Sequence, residues 1–180
     1  MNISYTIGII IVTWNGRSYL ERLLPSLLTQ DITQDYKIVI VDNGSIDGTK
    51  DYILKFPQID FISLSKNQGF AEPNNIGIRH LFSSYHSIEK IVFLNNDTVV
   101  PSTFLSTLIS GFAGDPKVAS VQTKIVSFEN QELIDSVGIT VDRSMSAINK
   151  GQGEKDIGQY DSSCEIFGTT GSAMMISKEA

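Results

Sequence analysis

The chain has 180 residues, of which 41% are hydrophobic and 19% charged, so we expect one globular domain with a sizeable core. Its net charge of −6 and its pI of about 4.8 argue against non-specific nucleic-acid binding, because the attraction to phosphates is missing. A lone cysteine, Cys164, excludes an internal disulfide, and the longest apolar run, residues 7–14, is too short to span a bilayer.

The first forty residues predict a strand, a helix and a second strand. Residues 7–12 form an almost continuous β-branched run, which indicates a strand buried on both faces. Leucines then recur at helical spacing, with Ser18 and Glu21 placed as a capping box and Pro25 placed to kink or restart the helix. Residues 38–41 predict the second buried strand.

This alternation continues to about residue 125. The pattern predicts a short helix over 49–56, a strand over 59–64, a helix starting at Pro73, a strand over 91–94 and an amphipathic helix over 104–112. Alternating strands and helices are typical of an α/β fold, in which helices cover both faces of a mostly parallel sheet.

The pattern weakens from residue 126 onward. Gly151, Gly153 and Gly158 lie among charged residues and suggest a mobile loop. The segment "GSAMMI" (171–176) predicts a further strand, and "SKEA" (177–180) resembles the first turn of a helix. So short a segment cannot hold a helix nucleus, so we expect the chain to be the front part of a longer protein.

Polar clusters follow each of the first four predicted strands. They are "TWN" (13–15), "DNGS" (42–45), "KNQGFA" (66–71) and "NND" (95–97). In open α/β sheets, ligands bind beyond the carboxyl ends of the strands. The sequence therefore predicts a binding site at this edge of the sheet.

Asp97 is the first candidate ligand-binding residue. A carboxylate at the end of a buried strand can bind a divalent cation such as Mg²⁺ or Mn²⁺, and Asn95 and Asn96 can add amide oxygens or hydrogen bonds. The alternative is an Asx turn leading into Thr98, in which these side chains only satisfy backbone groups. Spacing alone leaves both interpretations open.

The other candidates also have two interpretations. Asp42 can accept hydrogen bonds from a base or ribose, or it can form the turn before Gly44. Asn67, Gly69 and Phe70 can let the backbone approach a ligand closely, or they can simply connect a strand to a helix.

The residues after the first strand offer one more candidate and exclude several enzyme classes. Asn15 and Trp14 can line the same cleft, although Trp14 can equally pack in the core. Glycine-rich dinucleotide and P-loop motifs and the G-x-S-x-G motif do not occur, which argues against Rossmann dehydrogenases, P-loop NTPases and α/β-hydrolases.

Five segments in this order resemble the N-terminal part of family-2 glycosyltransferases, especially a bacterial rhamnosyltransferase-like branch that builds cell-surface polysaccharides. They are "IVTWNGRSYLERLLPSLLTQ", "IVIVDNGSIDGTKDYI", "LSKNQGFAEPNNIGIRH", "IVFLNNDTVVP" and "GTTGSAMMISKEA". The resemblance covers nearly the whole chain and implies a GT-A fold, a Rossmann-like α/β/α sandwich that binds a nucleoside-diphosphate sugar.

The resemblance also implies roles for individual residues. Val12 and Thr13 would line the nucleotide site, Asp42 would contact the base, and residues 67–71 would shape the nucleotide and sugar pocket. Asp97 would be the metal-binding carboxylate of an Asp-x-Asp motif whose leading Asp is Asn95 here. The implied nucleotide-sugar-binding residues are Val12, Thr13, Asn15, Asp42, Asn67, Gly69, Phe70, Asn95 and Asn96, and the implied cofactor is Mg²⁺ or Mn²⁺.

The implied reaction is inverting, metal-dependent sugar transfer to a saccharide or lipid-linked acceptor, with dTDP-rhamnose or a UDP-sugar favoured as donor. We expect one catalytic domain over 1–180, incomplete at its C-terminus, with the nucleotide-sugar part at about 5–125 and the acceptor side at about 126–180. The catalytic base is expected beyond Ala180, so residues 1–180 alone should not turn over. A cytoplasmic location is expected, which includes the inner face of the plasma membrane, with any peripheral membrane association made through parts outside this chain.

The sequence also allows two alternative functions. A non-catalytic nucleotide-sugar-binding module is favoured by Asn95, which removes one negative charge from the motif. A sugar-phosphate nucleotidyltransferase would need a glycine-rich basic loop after the first strand, where "TWNGRSY" has one glycine and Arg17 only.

Overall fold

A central sheet with helices on both faces dominates the computed structural model, which describes residues 6–113 and 117–179. The described strands are β1 Ile7–Thr13, β2 Tyr36–Asp42, β3 Asp60–Ser63, β4 Lys90–Leu94, β5 Ser120–Gln122, β6 Ile125–Val126, β7 Ile134–Ser136, β8 Ile139–Val141, β9 Ala147–Asn149 and β10 Ala173–Ser177. The described helices are α1 Arg17–Leu27, α2 Thr49–Ile53, α3 Ala71–Ser84 and α4 Phe104–Ser110.

The six-stranded sheet has the order β3-β2-β1-β4-β10-β5. Strand β1 pairs in parallel with both β2 and β4, and β2 pairs in parallel with β3. Strand β10 is antiparallel to its neighbours β4 and β5. The predicted mostly parallel α/β sheet is therefore confirmed. Its connections run outward to β3 and then return to β4, which creates a topological switch point between β1 and β4.

The two faces of β1 pack against different helices. Ile9 and Ile11 belong to a core cluster with the leucines of α1, whereas Ile10 packs in a second cluster with Leu81 of α3. A Cβ atom on Gly8 would lie 2.4 Å from Leu81 Cδ1, so a side chain at position 8 would force the Leu81 side chain to move. This packing fixes β1 in the middle of the sheet and places its polar end at the switch point.

The predicted capping box of α1 is wrong. The helix begins at Arg17, whose backbone N–H donates to Asp47 Oδ2 at 3.1 Å. Ser18 and Glu21 lie inside the helix, where Glu21 instead forms an ion pair with Arg17 at 3.0 Å. Pro25 lies within α1, which continues to Leu27.

The predicted loop around Gly151, Gly153 and Gly158 contains none of the described helices or strands, whereas the chain before it, from Ile125 to Asn149, forms short strands that were not predicted. These strands form two small antiparallel sheets, β6–β7 and β8–β9. Lys124 Nζ lies 2.6 Å from carboxylate oxygens of both Asp156 and Asp161 and so closes a turn. The predicted last strand is confirmed as β10. Residues 178–179 form a turn, and Ala180 of the predicted helix start lies outside the described residues.

Among the helices in the described part of the chain, none combines the length and apolar character that a membrane crossing requires.

Candidate functional site

The predicted site residues lie at the carboxyl ends of β1, β2 and β4 and in the loop after β3. Thr13 and Asp42 end neighbouring strands and are paired in register. Val12 precedes Thr13 and is partly exposed, and Asn95 follows β4 directly. The sheet order β3-β2-β1-β4 thus brings the four polar loops to one edge, around the switch point.

Asp42 organises the loop that follows β2. Its side chain is buried, and its Oδ1 accepts hydrogen bonds from the backbone N–H of Ser45 at 3.1 Å and from the Ser45 hydroxyl. The turn-forming interpretation of Asp42 is therefore confirmed, while its contact with a base stays a prediction. The two roles are compatible, because a carboxylate has about four lone-pair sites.

Asn15 joins the loop after β1 to the loop after β2. Its backbone N–H donates to Ser45 Oγ at 2.8 Å, and its side-chain Oδ1 accepts from the N–H of Ile46 at 2.9 Å. The φ angle of Asn15 is 48°, a left-handed conformation that asparagine tolerates better than most residues. Trp14 beside it is 56% exposed, so the core-packing interpretation of Trp14 is wrong.

Asn43 holds the loop after β3, although it was not among the predicted site residues. Its Nδ2 donates to Asn67 Oδ1 at 3.1 Å and to the Gly69 carbonyl at 2.8 Å, while its Oδ1 accepts from the Gln68 N–H at 2.8 Å. The side chain is only 3% exposed. An asparagine before Gly44 signals a turn, and only the fold shows that its partners lie 24 to 26 residues away.

Gly69 and Phe70 face open space at this edge. Gly69 has a φ of +79°, and a Cβ atom there would meet nothing within 4 Å. Its backbone is therefore accessible to a ligand. The Phe70 ring is 58% exposed and lies beside Gly171, at one wall of a cavity of about 200 Å³ that also contacts Met174.

Asn96 and Thr13 connect β4 to β1 across the switch point. Asn96 Nδ2 donates to Thr13 Oγ1 at 2.8 Å. Gly16 lies against this hydrogen bond, because a Cβ atom there would be 2.2 Å from Asn96 Nδ2 and 2.3 Å from Thr13 Oγ1. The requirement for glycine at position 16 comes from this long-range contact, so the local sequence did not reveal it.

Asp97 projects from the same turn and is exposed. Within the turn, Thr98 Oγ1 donates to the Asn95 carbonyl at 2.7 Å, and the Asn95 N–H donates to the Ser172 carbonyl at 2.9 Å. Asp97 also lines a cavity of about 190 Å³ with Arg22 and Phe128. In the described ranges, there is no group of three or more His, Cys, Asp or Glu side chains that could hold a metal by itself.

Asp47 lies next to Gly48 and satisfies backbone N–H groups at the start of two helices. It accepts from the Arg17 N–H at the start of α1 and from the Thr49 N–H and hydroxyl at the start of α2, at 2.5 to 3.1 Å. Burial alone would raise the pKa of Asp47, but these hydrogen bonds together lower it. An ionised Asp47 thus ties both helix N-termini to the loop edge.

Solved structures share this architecture. The TarS 1–349 structure from S. aureus superposes with a TM-score of 0.59 and 21% identity, over 69% of this chain and 37% of that one. The mannosyltransferase PcManGT from Pyrobaculum calidifontis, solved with GDP-Man and Mn²⁺, gives a TM-score of 0.63 and 18% identity, over 99% of this chain and 46% of that one. The fold defines the class: a GT-A fold, with its mostly parallel six-stranded sheet and polar C-terminal edge.

The sequence comparison then gives the family. Residues 8–180 match the model of glycosyl transferase family 2, and the chain belongs to that family. The dTDP-rhamnosyl transferase RfbF of Shigella flexneri is 32% identical over 99 residues, which are 55% of this chain and 32% of RfbF. The poly-beta-1,6-N-acetyl-D-glucosamine synthase of Staphylococcus aureus is 27% identical over 118 residues, 64% of this chain and 27% of the synthase. The chain thus spans about a third or less of the length of these relatives.

Proposed function

We propose that the protein transfers a sugar from a nucleoside-diphosphate sugar to a saccharide or lipid-linked acceptor during cell-surface polysaccharide synthesis. Membership of glycosyl transferase family 2 supports the reaction class, and the name of one relative, the poly-beta-1,6-N-acetyl-D-glucosamine synthase, supports a role in polysaccharide synthesis. The observation that carries the proposal is the edge at the switch point, where hydrogen bonds between loops join Thr13 to Asn96, Asn15 to Ser45, and Asn43 to the loop after β3.

We place the donor along this edge. The nucleotide would lie over the ends of β1 and β2, against Val12, Thr13 and Asp42, with the backbone of Asn67 to Phe70 beside it. This position agrees with the open space over Gly69 and with the exposure of Phe70. The rhamnosyl transferase relative favours dTDP-rhamnose as donor, and the TarS complex with UDP-GlcNAc, which shares the fold, makes a UDP-sugar the second choice.

A divalent cation fits the donor set of the "NND" turn. The Asp97 carboxylate and the amide oxygen of Asn95 are hard oxygen ligands, which suit Mg²⁺ or Mn²⁺. Asn96 turns its Nδ2 toward Thr13, so its amide oxygen points elsewhere. When bound, the cation would supply charge stabilisation to the leaving diphosphate. With a single carboxylate, most of the affinity must come from the diphosphate itself, so cation and nucleotide should bind together.

We further propose that donor binding and acceptor binding involve different parts of the chain. Residues of about 5–125 would hold the donor, and residues of about 126–180 would form the acceptor side, where β6 to β9 build small sheets beside the main one. Inverting transfer would proceed by single displacement. In that case the chain's own contribution would be to hold the donor in place, and the buried Asn43 and the hydrogen bond between Asn96 and Thr13 support this proposal.

A non-catalytic binding module is the second candidate, and Asn95 favours it. Replacing the first carboxylate of Asp-x-Asp by an amide weakens cation binding and would weaken stabilisation of the leaving group. The two candidates differ in one measurable property: an enzyme consumes the bound nucleoside-diphosphate sugar, whereas a module releases it unchanged.

Calorimetric titration tests the proposal. The chain would be titrated with dTDP, UDP and GDP, each with and without Mn²⁺, and the titrations repeated on Asp97→Ala and on Asp35→Ala. Asp35 is an exposed aspartate at the opposite end of β2 and serves as the matched control. We expect Mn²⁺-dependent binding of one nucleotide that is lost in Asp97→Ala and kept in Asp35→Ala. Equal binding by both variants would contradict the metal role of Asp97, and no binding of any nucleotide would contradict the donor site.

A further inference from the structure

The structure contains a second cavity beside the candidate donor site, here called the Phe128 cleft. Its volume is about 190 Å³, and it lies between α1, the turn after β4 and the loop between β6 and β7. The side chains that matter for the argument are Tyr19, Arg22, Asp97, Val99, Phe128 and Glu129. Of these, only Asp97 belongs to the residues predicted for donor or metal binding.

The walls of this cleft are held in place by hydrogen bonds. The Val100 N–H donates to Ser26 Oγ at 3.2 Å, which ties the turn after β4 to α1. In the loop between β6 and β7, the Ser127 N–H donates to the Leu133 carbonyl at 2.8 Å, and the Leu133 N–H donates to the Asn130 carbonyl at 2.9 Å. The cleft is therefore bounded by ordered segments.

Large apolar groups in the cleft are left open to solvent. Tyr19, Val99 and Phe128 are 47%, 49% and 56% exposed. Tyr19 and Arg22 lie one turn apart on α1, on the side away from its buried leucines, and the Arg22 guanidinium carbon lies 5.3 Å from the centroid of the Phe128 ring. Exposed aromatic rings grouped around a concavity mark a binding surface rather than scattered surface apolarity.

The charges in the cleft select the chemical class of the ligand. A wholly apolar ligand would take the carboxylates of Asp97 and Glu129 out of water without giving them partners. In the chain without a cation on Asp97, an anionic ligand would meet two carboxylates and a single guanidinium, from Arg22, so its charge would be opposed. A neutral polyhydroxylated ring satisfies all of these groups. Its hydroxyls can donate to the carboxylates and accept from Arg22, while its C–H face packs on an aromatic ring.

We propose that the Phe128 cleft binds a saccharide and is the acceptor subsite of this protein. The inference rests on the proposed function and names the place of the second substrate. The volume of about 190 Å³ is below the roughly 300–1,000 Å³ of sites that enclose drug-sized ligands, so the cleft suits one sugar ring and not a complete nucleotide sugar. Because Asp97 lines the cleft, a ring held there would be next to the group proposed to hold the donor's cation. Phe128 also lies in the part of the chain expected to form the acceptor side.

The test is an NMR titration of this chain with three neutral methyl glycosides, of L-rhamnose, D-glucose and N-acetyl-D-glucosamine, and with inorganic phosphate as an anionic probe. We expect at least one glycoside to shift the amide signals of Tyr19, Val99 and Phe128 and the side-chain N–H of Arg22. Signals that shift only outside the cleft, or phosphate binding there more tightly than every glycoside, would overturn the proposal.

Phe128→Ala, Arg22→Ala and the matched control Phe167→Ala complete the test. Phe128 and Phe167 are both exposed, so neither substitution should affect folding. We expect Phe128→Ala to weaken glycoside binding about threefold to tenfold, the range that an aromatic contact gives, with a similar or larger loss for Arg22→Ala. Phe167→Ala, at 77% exposure and away from the cleft, should bind like the unmodified chain.

Nucleotide titration of the same samples separates this inference from the proposed function. If a nucleotide binds with Mn²⁺ but glycosides do not reach the cleft, the acceptor subsite is wrong and the donor site stands. If glycosides bind in the cleft and no nucleotide binds, the sugar-transfer proposal is wrong, and with it the acceptor role of the cleft. Phe128→Ala should leave nucleotide affinity unchanged, and a loss there would contradict a separate acceptor subsite.

Discussion

Asn96 Nδ2 donates a hydrogen bond to Thr13 Oγ1 at 2.8 Å, and this contact joins the ends of β4 and β1 although the two residues are 83 positions apart in sequence. It lies at the switch point of the sheet, where α/β proteins bind their ligands. The residues that we propose for the donor site on β1 and after β4 are therefore joined by a direct hydrogen bond.

Gly16→Ala tests that support. The added methyl group would lie 2.2 Å from Asn96 Nδ2 and 2.3 Å from Thr13 Oγ1, so one of these groups must move and the hydrogen bond should break. We expect a loss of about 1–3 kcal/mol in the free energy of unfolding, as for other overpacked sites, measured by urea denaturation. The control is Gly168→Ala, where the new Cβ atom would lie 3.8 Å from Ile139 Cβ and should cost little. Equal stability of the two variants would show that the contact at Gly16 is easily relieved.

Asn43→Asp tests the support of the loop after β3. The substitution keeps an oxygen acceptor for the Gln68 N–H but removes the donor and places a negative charge near the Gly69 carbonyl. We expect a loss of about 1–3 kcal/mol in the free energy of unfolding, because buried groups lose their partners. Amide hydrogen exchange should also speed up over residues 67–70, and nucleotide affinity should fall. The exposed Asn75 on α3 provides the control, Asn75→Asp, which should leave exchange over 67–70 unchanged. Unchanged exchange in Asn43→Asp would show that the loop does not depend on this side chain.

The sequence predicted the strands and the polar loops at their carboxyl ends. It did not predict the long-range contacts that connect these loops. Strands β1, β2 and β4 follow from apolar runs long enough to be recognised, and the polar residues after them locate the candidate site. Asn43 and Gly16 were missed because their partners are remote in sequence, and local patterns report only on neighbours. The small sheets β6 to β9 were missed because strands of two or three residues are too short to show a period.

At the start of helix α1, a local sequence pattern predicted the wrong hydrogen-bond partner. Ser18 and Glu21 have the right spacing for a capping box, but Asp47 binds the first N–H of the helix from 30 residues away. The antiparallel direction of β10 was equally hidden, because an apolar run carries no information on strand direction. At the start of α1, tertiary contacts overrode the local helix-capping pattern. For β10, local propensity contains no information on whether the strand runs parallel or antiparallel to its neighbours.

Phe70→Ala tests the placement of the donor sugar. The ring is 58% exposed, so the free energy of unfolding should change by no more than about 0.5 kcal/mol. If Phe70 packs beside the sugar, the variant should bind the nucleoside-diphosphate sugar about threefold to tenfold more weakly while binding the nucleoside diphosphate alone as before. Calorimetry with both ligands and Mn²⁺ measures this difference, with Phe167→Ala as the control. Equal losses for both ligands would place Phe70 beside the nucleotide instead.

The acid limb of the stability curve should depend on Asp60, at the opposite end of the sheet from the candidate site. Asp60 lies 2.6 Å from Lys37 Nζ and 2.6 Å from His80 Nε2, and it accepts from the Tyr85 hydroxyl at 2.8 Å. Burial alone would raise the pKa of Asp60, but the hydrogen bonds from His80, Lys37 and Tyr85 outweigh it and lower the pKa. A lowered pKa means that the carboxylate stabilises the fold fully above its unfolded-state pKa of about 3.9 and loses this contribution as the pH falls through the folded-state value.

Asp60→Asn should remove that acid-dependent component. We expect a loss of about 2–4 kcal/mol in the free energy of unfolding at pH 7, because the buried Lys37 loses the counter-charge of Asp60. We also expect a shallower fall in stability below about pH 4 than in the unmodified chain. Urea denaturation at a series of pH values measures both, and Asp35→Asn, on an exposed aspartate nearby, should follow the unmodified curve. Because none of these residues belongs to the candidate site, nucleotide affinity at pH 7 should not change in folded Asp60→Asn, and a parallel loss of affinity would show that the two ends of the sheet are coupled.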